Sequence, residues 1–185
     1  LSPRVADLLG AFCELLQRVL VHSDVRRSML TPGMHVLDVL LQLLRCPVPA
    51  ALKGAIFKVL AACAQDEAVA AWLWQQLEAM QVINTNPDGG GQEATGLKFE
   101  METVESSSKT YPATEGFCCL MQELLLRNLP LDLGANQQRR PGLGPYLDFL
   151  IEDVLLKADE REYTQPGEKW RIVARVLQVK ECMSQ

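Results

Sequence analysis

Two histidines and six cysteines are the residues of this chain that could carry out nucleophilic catalysis. A cysteine hydrolase needs a thiolate in an electropositive, partly open site, with a histidine beside it as a base. His22 falls in a polar stretch and His35 in the first turn of an apolar helix, and neither belongs to a known hydrolase motif. The sequence therefore predicts no catalytic residue, and enzymatic activity is not expected.

The cysteines do not form a metal-binding pattern either. Cys118 and Cys119 are adjacent, so on a helix their side chains point about 100° apart and cannot easily share one ion. No CxxC pair occurs, and no histidine stands at zinc-finger spacing from a cysteine. Most thiols lie among apolar residues, which is typical of reduced, buried cysteines in a protein of the cytosol or nucleus. The six are Cys13, Cys46, Cys63, Cys118, Cys119 and Cys182.

A run of three glycines, 89–91, resembles a phosphate-binding loop only in composition. It lacks the lysine and the Ser or Thr of such a loop, and no helix begins directly after it. The surrounding stretch 84–96 is predicted to be a mobile loop. We expect no metal, no cofactor and no small-molecule substrate.

Charged residues occur in short runs that suggest helix ends and turns. Arg26-Arg27 and Arg139-Arg140 are expected to be solvated or to donate hydrogen bonds to terminal carbonyl groups of helices, with contact to an acidic partner as the alternative. The run 159–162 is predicted to be a solvated turn whose charges pair with one another.

Trp72 and Trp74 are two residues apart and therefore face nearly opposite sides of one helix. Both cannot point fully into the same core. One of them is expected to mark a second buried surface, formed either with a neighbouring helical layer or with a partner protein.

Apolar residues are spaced for helices along most of the chain. The chain is 48% apolar but only 6% aromatic, a balance that favours packed helices over sheets. Apolar stripes are predicted on four of the helices: Val5, Leu8, Leu9, Phe12, Leu15, Leu16, Val19 and Leu20 on the first; Leu52, Ile56, Val59 and Leu60 on the helix from Pro49; Tyr146, Phe149, Leu150 and Val154 on the helix from Pro145; and Trp170, Val173, Ala174 and Leu177 on the last. The small residues Ala61, Ala62 and Ala64 are expected to permit close helix contact. About seven helices are expected, beginning near Ser2-Pro3, Thr31-Pro32, Pro49, Asp66, Thr114, Pro145 and Pro166.

Two segments between these helices are predicted to be non-helical. The polar stretch 22–29 is predicted to be a connector. Leu97, Phe99 and Met101 alternate with charged residues, which suits a short strand or an extended docking segment, although a lone strand has no partner here.

The bulk composition excludes several classes of protein. A net charge of −5 argues against a general nucleic-acid binder, and no apolar run reaches the length of about 18 residues that a membrane helix needs. The amphipathic start does not resemble a signal peptide, and without an initial Met the chain is expected to be an excised segment.

Helices joined by short links suit either a closed bundle or an α-solenoid. The tiny gap between the helices that begin at Pro49 and Asp66 predicts an antiparallel hairpin, which favours the solenoid. The predicted fold is all-α: a right-handed α-solenoid segment of stacked antiparallel helix pairs of the HEAT or armadillo type. Helical hairpins are expected over 1–83 and 111–185, separated by a loop with a possible extended segment over 84–110.

Several strings carry a family resemblance. TEGF at 114–117, LPLDLG at 129–134, RPGLGPYLDF at 140–149 and EKW at 168–170 resemble the largest inner-ring scaffold nucleoporins, above all the two-hundred-and-five-kilodalton nucleoporin family with its fungal relatives. The upstream run AAWLWQQLE at 70–78 is similar to the same family. The alternative assignment is a second large scaffold nucleoporin that is paralogous to this family.

This resemblance implies an interior piece of a long, non-enzymatic α-solenoid in the nuclear pore complex, at the nuclear envelope. Such a piece would support nucleocytoplasmic transport by binding other scaffold and linker nucleoporins, partly through short segments docked in grooves between helices. It implies no direct nucleic-acid binding and no membrane-spanning segment. The alternative is a HEAT-type nuclear transport receptor or adaptor that binds cargo.

Overall fold

The chain is helical throughout the part that its computed structural model describes, residues 1–30, 35–83, 96–127 and 143–182. Nine helices and no strand lie in these ranges, which confirms the all-α class with more helices than the seven expected. They are α1 (Pro3–Leu20), α2 (Ser23–Leu30), α3 (His35–Arg45), α4 (Ala50–Cys63), α5 (Glu67–Met80), α6 (97–108), α7 (Pro112–Leu125), α8 (144–155) and α9 (Pro166–Cys182).

The sequence favours a strand or an extended segment at Leu97, Phe99 and Met101, but these residues form part of the helix α6, so that prediction is wrong. It is α-helical over Leu97–Glu100 and widens into a π-helical turn over Met101–Glu105 before it ends at Ser108. The buried residues are Leu97, Met101 and Glu105, at steps of four that place them on one helical face. The three apolar residues at 97, 99 and 101 therefore do not share one buried face, because Phe99 is exposed.

The helix α8 has a similar change of geometry. It begins as an α-helix over Gly144–Asp148 and continues as a π-helix over Phe149–Leu155. Turns of this kind are rare and usually reflect a local packing or functional demand. Here the π-helical part buries Phe149, Leu150 and Val154 in the core.

The predicted connector 22–29 is also helical, because α2 covers most of it. None of its side chains is fully buried, and Met29 and Leu30 at its end are partly buried against the core. Asp24 in the first turn and Arg27 in the last both interact favourably with the helix dipole. The Arg26 guanidinium donates a 2.7 Å hydrogen bond to the carbonyl oxygen of Leu20, which ties α2 to the end of α1.

Helices α1 and α5 begin where the sequence predicts, but only one of the two predicted capping residues makes a capping hydrogen bond. Asp66 caps α5 by accepting hydrogen bonds from the N–H groups of Ala68 at 3.0 Å and Val69 at 3.2 Å, as predicted. Ser2 precedes α1, but its side chain makes no capping hydrogen bond. The start expected at residues 31–32 lies outside the described ranges.

Four helices form a row through close backbone contact. The helix α4 packs against α1 on one side and α7 on another, and α7 packs in turn against α9. The antiparallel hairpin of α4 with α5 stays a prediction, and the closest approach of α4 is to α7, at Gly54. The division into 1–83 and 111–185 stays a prediction; the α4–α7 contact joins helices from both parts.

The core lies along this row and is linked by aromatic rings. Phe117 of α7 makes edge-to-face contacts with Phe57 of α4 and Phe149 of α8, at centroid distances of 5.5 and 5.9 Å. The predicted core stripes of α4 and α8 are confirmed by full burial of Leu52, Ile56, Val59, Leu60, Tyr146, Phe149, Leu150 and Val154.

Candidate functional site

Four of the thiols considered as candidate nucleophiles are made unreactive by burial. Cys13, Cys63 and Cys118 are buried, and desolvation raises their pKa values, that of Cys63 to about 11. Cys119 is half-buried, and its pKa is raised for the same reason. These four thiols are therefore protonated at neutral pH, as the prediction of buried, reduced cysteines requires. Cys46, by contrast, is exposed.

The described ranges also hold no group of three or more His, Cys, Asp or Glu side chains placed to bind a metal ion. Both histidines are exposed. No helix within the same ranges combines the length and the apolar content needed to cross a membrane.

The basic pair at 26–27 behaves as the sequence suggests. Arg26 donates to the terminal carbonyl group of α1 and, from the same nitrogen, to Gln65 Oε1 at 2.9 Å. It therefore joins α1 to the end of α4 rather than serving a ligand. The pair at 139–140 lies outside the described residues.

The run 159–162 is a turn with exposed acidic side chains, as predicted, but the predicted pairing of its charges with one another is wrong. Asp159 pairs with Lys169, and Glu162 pairs with Lys109. Arg161 donates to backbone carbonyl groups at the end of α8, including that of Val154 at 3.2 Å. Each of these charges reaches a partner outside the run, because the turn lies between α8 and the start of α9.

The helices α4 and α7 make the most extensive helix–helix contact in the described part of the chain, and they approach each other at two glycines. A Cβ atom built on Gly54 would lie 2.2 Å from the carbonyl oxygen of Pro112, and one on Gly116 would lie 2.4 Å from that of Gly54. No side chain fits there, so the two backbones touch directly. Alanines were expected to permit close helix contact, but these glycines were not singled out.

The start of α7 is held by two buried carboxyl groups that the sequence analysis missed. Glu105 of α6 accepts hydrogen bonds from the N–H group of Ala113 at 2.7 Å and from the hydroxyl of Thr114 at 2.5 Å. Glu168 of α9 accepts one from the N–H group of Tyr111 at 2.7 Å. Thr114, predicted to be a cap, is thus a donor inside the helix.

Burial has a clear electrostatic effect on Glu105. Desolvation raises the pKa of this carboxyl to about 7, while the hydrogen bonds from Thr114 and Ala113 act in the opposite direction. Glu100 adds a smaller upward contribution through charge repulsion. The capping group therefore titrates near neutral pH.

The helix α1 presents the longest apolar stripe left uncovered in the described part of the chain. Its members recur at steps of three and four and are 42–70% exposed: Val5, Leu8, Phe12 and Leu15. The predicted stripe of this helix is confirmed in part, because its members Leu16 and Leu20 are buried together with Ala6 and Cys13. Its members Val5, Leu8, Phe12 and Leu15 are exposed, so their predicted burial is wrong. An uncovered stripe of this regularity is typical of a helix-binding surface.

The helix α9 presents a second uncovered stripe. Trp170 is 65% exposed and Leu177 45% exposed, so their predicted burial is wrong. The buried stripe is the opposite face, with Ile172, Val176 and Val179. The sequence of α9 is apolar on both faces, and spacing alone does not say which one meets the core.

The two tryptophans of α5 separate as predicted. Trp74 is fully buried and meets the ring of Tyr146 edge to face at 5.4 Å. Trp72 is half-buried on another side of the helix.

A groove of about 490 Å³ lies between α1, α4, α7 and α9. Its floor includes the small side chains of Ala61 and Ala62, and its wall carries Lys58, which pairs with Glu115 at 3.6 Å. A wide groove with small floor residues and polar walls can admit the backbone of an extended segment.

Comparison with known proteins decides the family. A sequence model described as nuclear pore complex scaffold, nucleoporins 186/192/205, matches residues 1–184. The chain belongs to this scaffold nucleoporin family. It is 35% identical over 181 residues to the nuclear pore complex protein Nup205 of Homo sapiens and 38% identical to that of Drosophila melanogaster. Each match covers 97% of this chain but only 9% of the relative's length.

The family resemblance drawn from short strings is thus confirmed, and the geometry explains some of their residues. In this scaffold nucleoporin, Gly116 of the string at 114–117 touches Gly54, and Glu168 of the string at 168–170 holds the N–H group of Tyr111. Both residues lie where helices join.

Proposed function

We propose that this chain is a structural segment of the nuclear pore complex scaffold, located at the nuclear envelope, where it supports nucleocytoplasmic transport and pore assembly. The observation that carries the proposal is the family match over residues 1–184. Its named relatives are nuclear pore complex proteins. The geometry adds a core of close helix contacts, with Cys13, Cys63 and Cys118 buried.

Within that scaffold, the segment is proposed to be part of a right-handed α-solenoid. The row α1–α4–α7–α9 supports this, because each helix packs against the next helix of the row. The uncovered stripes of α1 and α9 belong to the first and last helices of that row. Such faces are expected where a repeated helical arrangement meets further protein.

The proposed partners are other scaffold and linker nucleoporins, bound through the uncovered stripes and the groove between α1, α4, α7 and α9. No described residue favours the alternative, a transport receptor that binds cargo. The proposed role needs neither an enzymatic step nor a cofactor.

The test is co-purification of the natural protein with scaffold nucleoporins from nuclear envelopes. Stable recovery that survives addition of the GTP-bound small GTPase of nuclear transport is the expected result. Release of all partners by that GTPase would support the receptor instead. Absence of scaffold nucleoporins from the preparation would contradict the proposal.

A further inference from the structure

The helix α6 is separated from the rest of the chain by an unusual backbone conformation at each end. Gly96, directly before it, has φ 93°, and Lys109, directly after it, has φ 56°. Positive φ values interrupt a helix, so α6 does not continue into α7. It forms a unit of about three turns whose two ends can act as hinges.

Few apolar side chains fix α6 to the other helices. Leu97 and Met101 are buried, whereas Phe99 and Val104 are exposed. Segments with little buried apolar surface are the ones that open locally while the rest of a protein stays folded. The docking of α6 therefore depends strongly on its polar contacts.

Two ion pairs hold the first half of α6. Glu100 pairs with Lys53 of α4, and Lys98 pairs with Asp153 of α8 at 2.9 Å. Both cations are thus engaged by carboxylates other than Glu105.

The second half of α6 is held by Glu105, whose side chain is fully buried. Its hydrogen-bond donors are the N–H group of Ala113 at 2.7 Å and the hydroxyl and N–H group of Thr114 at 2.5 and 3.4 Å. All three donors are neutral. No cation of the described ranges contacts the carboxyl group.

The charged groups around this joint do not neutralise Glu105 either. Glu100, on the same helix, repels its negative charge. Glu168 of α9 is a second carboxyl group at the joint and holds the N–H group of Tyr111. Arg161, in the turn before α9, donates to carbonyl groups at the end of α8 instead.

The groups that α7 contributes act in two ways. Burial raises the pKa values of Cys118 and Tyr111, so both stay neutral where Glu105 titrates. The N–H groups at the helix start favour a carboxylate, as the helix dipole does. Burial outweighs the hydrogen bonds, because the pKa of Glu105 is about 7.

Both protonation states of Glu105 use the same partners. The ionised carboxylate accepts from the Thr114 hydroxyl, whereas the protonated acid donates to that oxygen and still accepts from the N–H group of Ala113. The two states differ in one buried charge, which is costly without a cation beside it. Ionisation therefore favours an arrangement in which the carboxylate reaches water.

We propose that α6 is a proton-controlled clip, which stays docked while Glu105 is protonated and opens when this carboxyl group ionises. The hinges are Gly96 and Lys109, and the row α1–α4–α7–α9 stays folded. Opening uncovers the side of α4 with Lys53 and Phe57, which line a groove beside α6 in the docked state. The inference goes beyond the proposed scaffold function and does not rest on it.

The test is hydrogen exchange of backbone amides in the 185-residue chain, followed by NMR between about pH 5.5 and about pH 8. Protection factors, which correct for the intrinsic effect of pH on exchange, are compared for residues 101–108 of α6 and residues 56–60 of α4. The α6 amides are expected to be at least about tenfold less protected than those of α4 at every pH. Their protection is expected to fall at least about tenfold over this range, because the folded pKa of Glu105 is about 7 instead of 4.5.

Two matched variants locate the effect. Glu105→Gln removes the titrating group and is expected to keep the protection of α6 constant within about twofold over the same range. Glu102→Gln, on the same helix but at an exposed position, is expected to keep the tenfold fall.

Three outcomes would overturn the inference. They are equal protection of α6 and α4, protection of α6 that does not change with pH, and a fall that persists in Glu105→Gln. The ¹³C chemical shift of the Glu105 carboxyl group in the unsubstituted chain provides a check that needs no variant. A titration midpoint near 7 is expected, and one near the ordinary pKa of 4.5 would also overturn the inference.

Discussion

Gly54 and Gly116 lie in direct backbone contact where α4 meets α7, and a Cβ atom on Gly116 would come within 2.8 Å of the Gly54 Cα atom. This contact joins helices that are some sixty residues apart in the sequence (116 − 54 = 62). It sets the distance between the two central helices and lets the rings of Phe57 and Phe117 meet.

Gly116→Ala is expected to destabilise the fold by about 1–3 kcal/mol, because the new methyl group must push two backbones apart. This net loss already includes the gain in helix propensity of up to about 1 kcal/mol that a Gly-to-Ala change brings. Urea unfolding followed by circular dichroism measures the difference.

The control for this prediction is Gly10→Ala. Gly10 lies in α1 with nothing within 4 Å of its would-be Cβ atom, so this change is expected to be neutral or stabilising. Equal effects of the two substitutions would show that the α4–α7 contact is looser than described.

Glu105→Gln is expected to change how stability depends on pH. The folded pKa of about 7 lies above the ordinary value of 4.5, so the contribution of Glu105 is most favourable below about pH 4.5 and is lost as pH rises towards 7. The glutamine keeps the shape and an acceptor oxygen but carries no charge.

The free energy of unfolding of the variant, relative to the natural chain, should therefore rise between pH 5 and pH 8, by up to about 3 kcal/mol. Thermal unfolding at several pH values measures it. Parallel pH profiles would show that Glu105 keeps an ordinary pKa in the fold.

Trp74→Ala and Trp170→Ala form a pair that separates core from surface. Trp74 is fully buried, so its truncation is expected to cost about 3–5 kcal/mol. Trp170 is 65% exposed, and its truncation is expected to cost less than about 1 kcal/mol. A comparable loss at Trp170, measured by urea unfolding, would mean that α9 buries the other face.

The features predicted well from the sequence are those that depend on local chemistry. The Asp66 cap, the core stripes of α4 and α8, and the family strings all follow from residues close together in the chain. The stripes of α1 and α9 could not be assigned, because both helices are apolar on two faces. Only the packing of other helices decides which face becomes buried.

Other misses have different physical causes. The helix over Ser23–Leu30 has no fully buried side chain, so its apolar pattern is too weak to predict it. It depends on end charges, on the Arg26 contact and on the partial burial of Met29 and Leu30. The helix α6 shows only a brief alternation, which a buried face at Leu97, Met101 and Glu105 overrides. The burial of Glu105 could not be predicted from its own segment, because glutamate is rarely buried and its hydrogen-bond donors come from the start of another helix.

The central claim is that the uncovered faces of a stable helical core hold this protein in the nuclear pore scaffold. The most direct measurement introduces Phe12→Ala and Trp170→Ala together into the natural gene and counts fluorescent copies of the protein per pore. The account predicts fewer copies per pore, while the melting temperature of the doubly substituted 185-residue chain stays near that of the unsubstituted one. An unchanged count at the pore, with both faces altered, would contradict it.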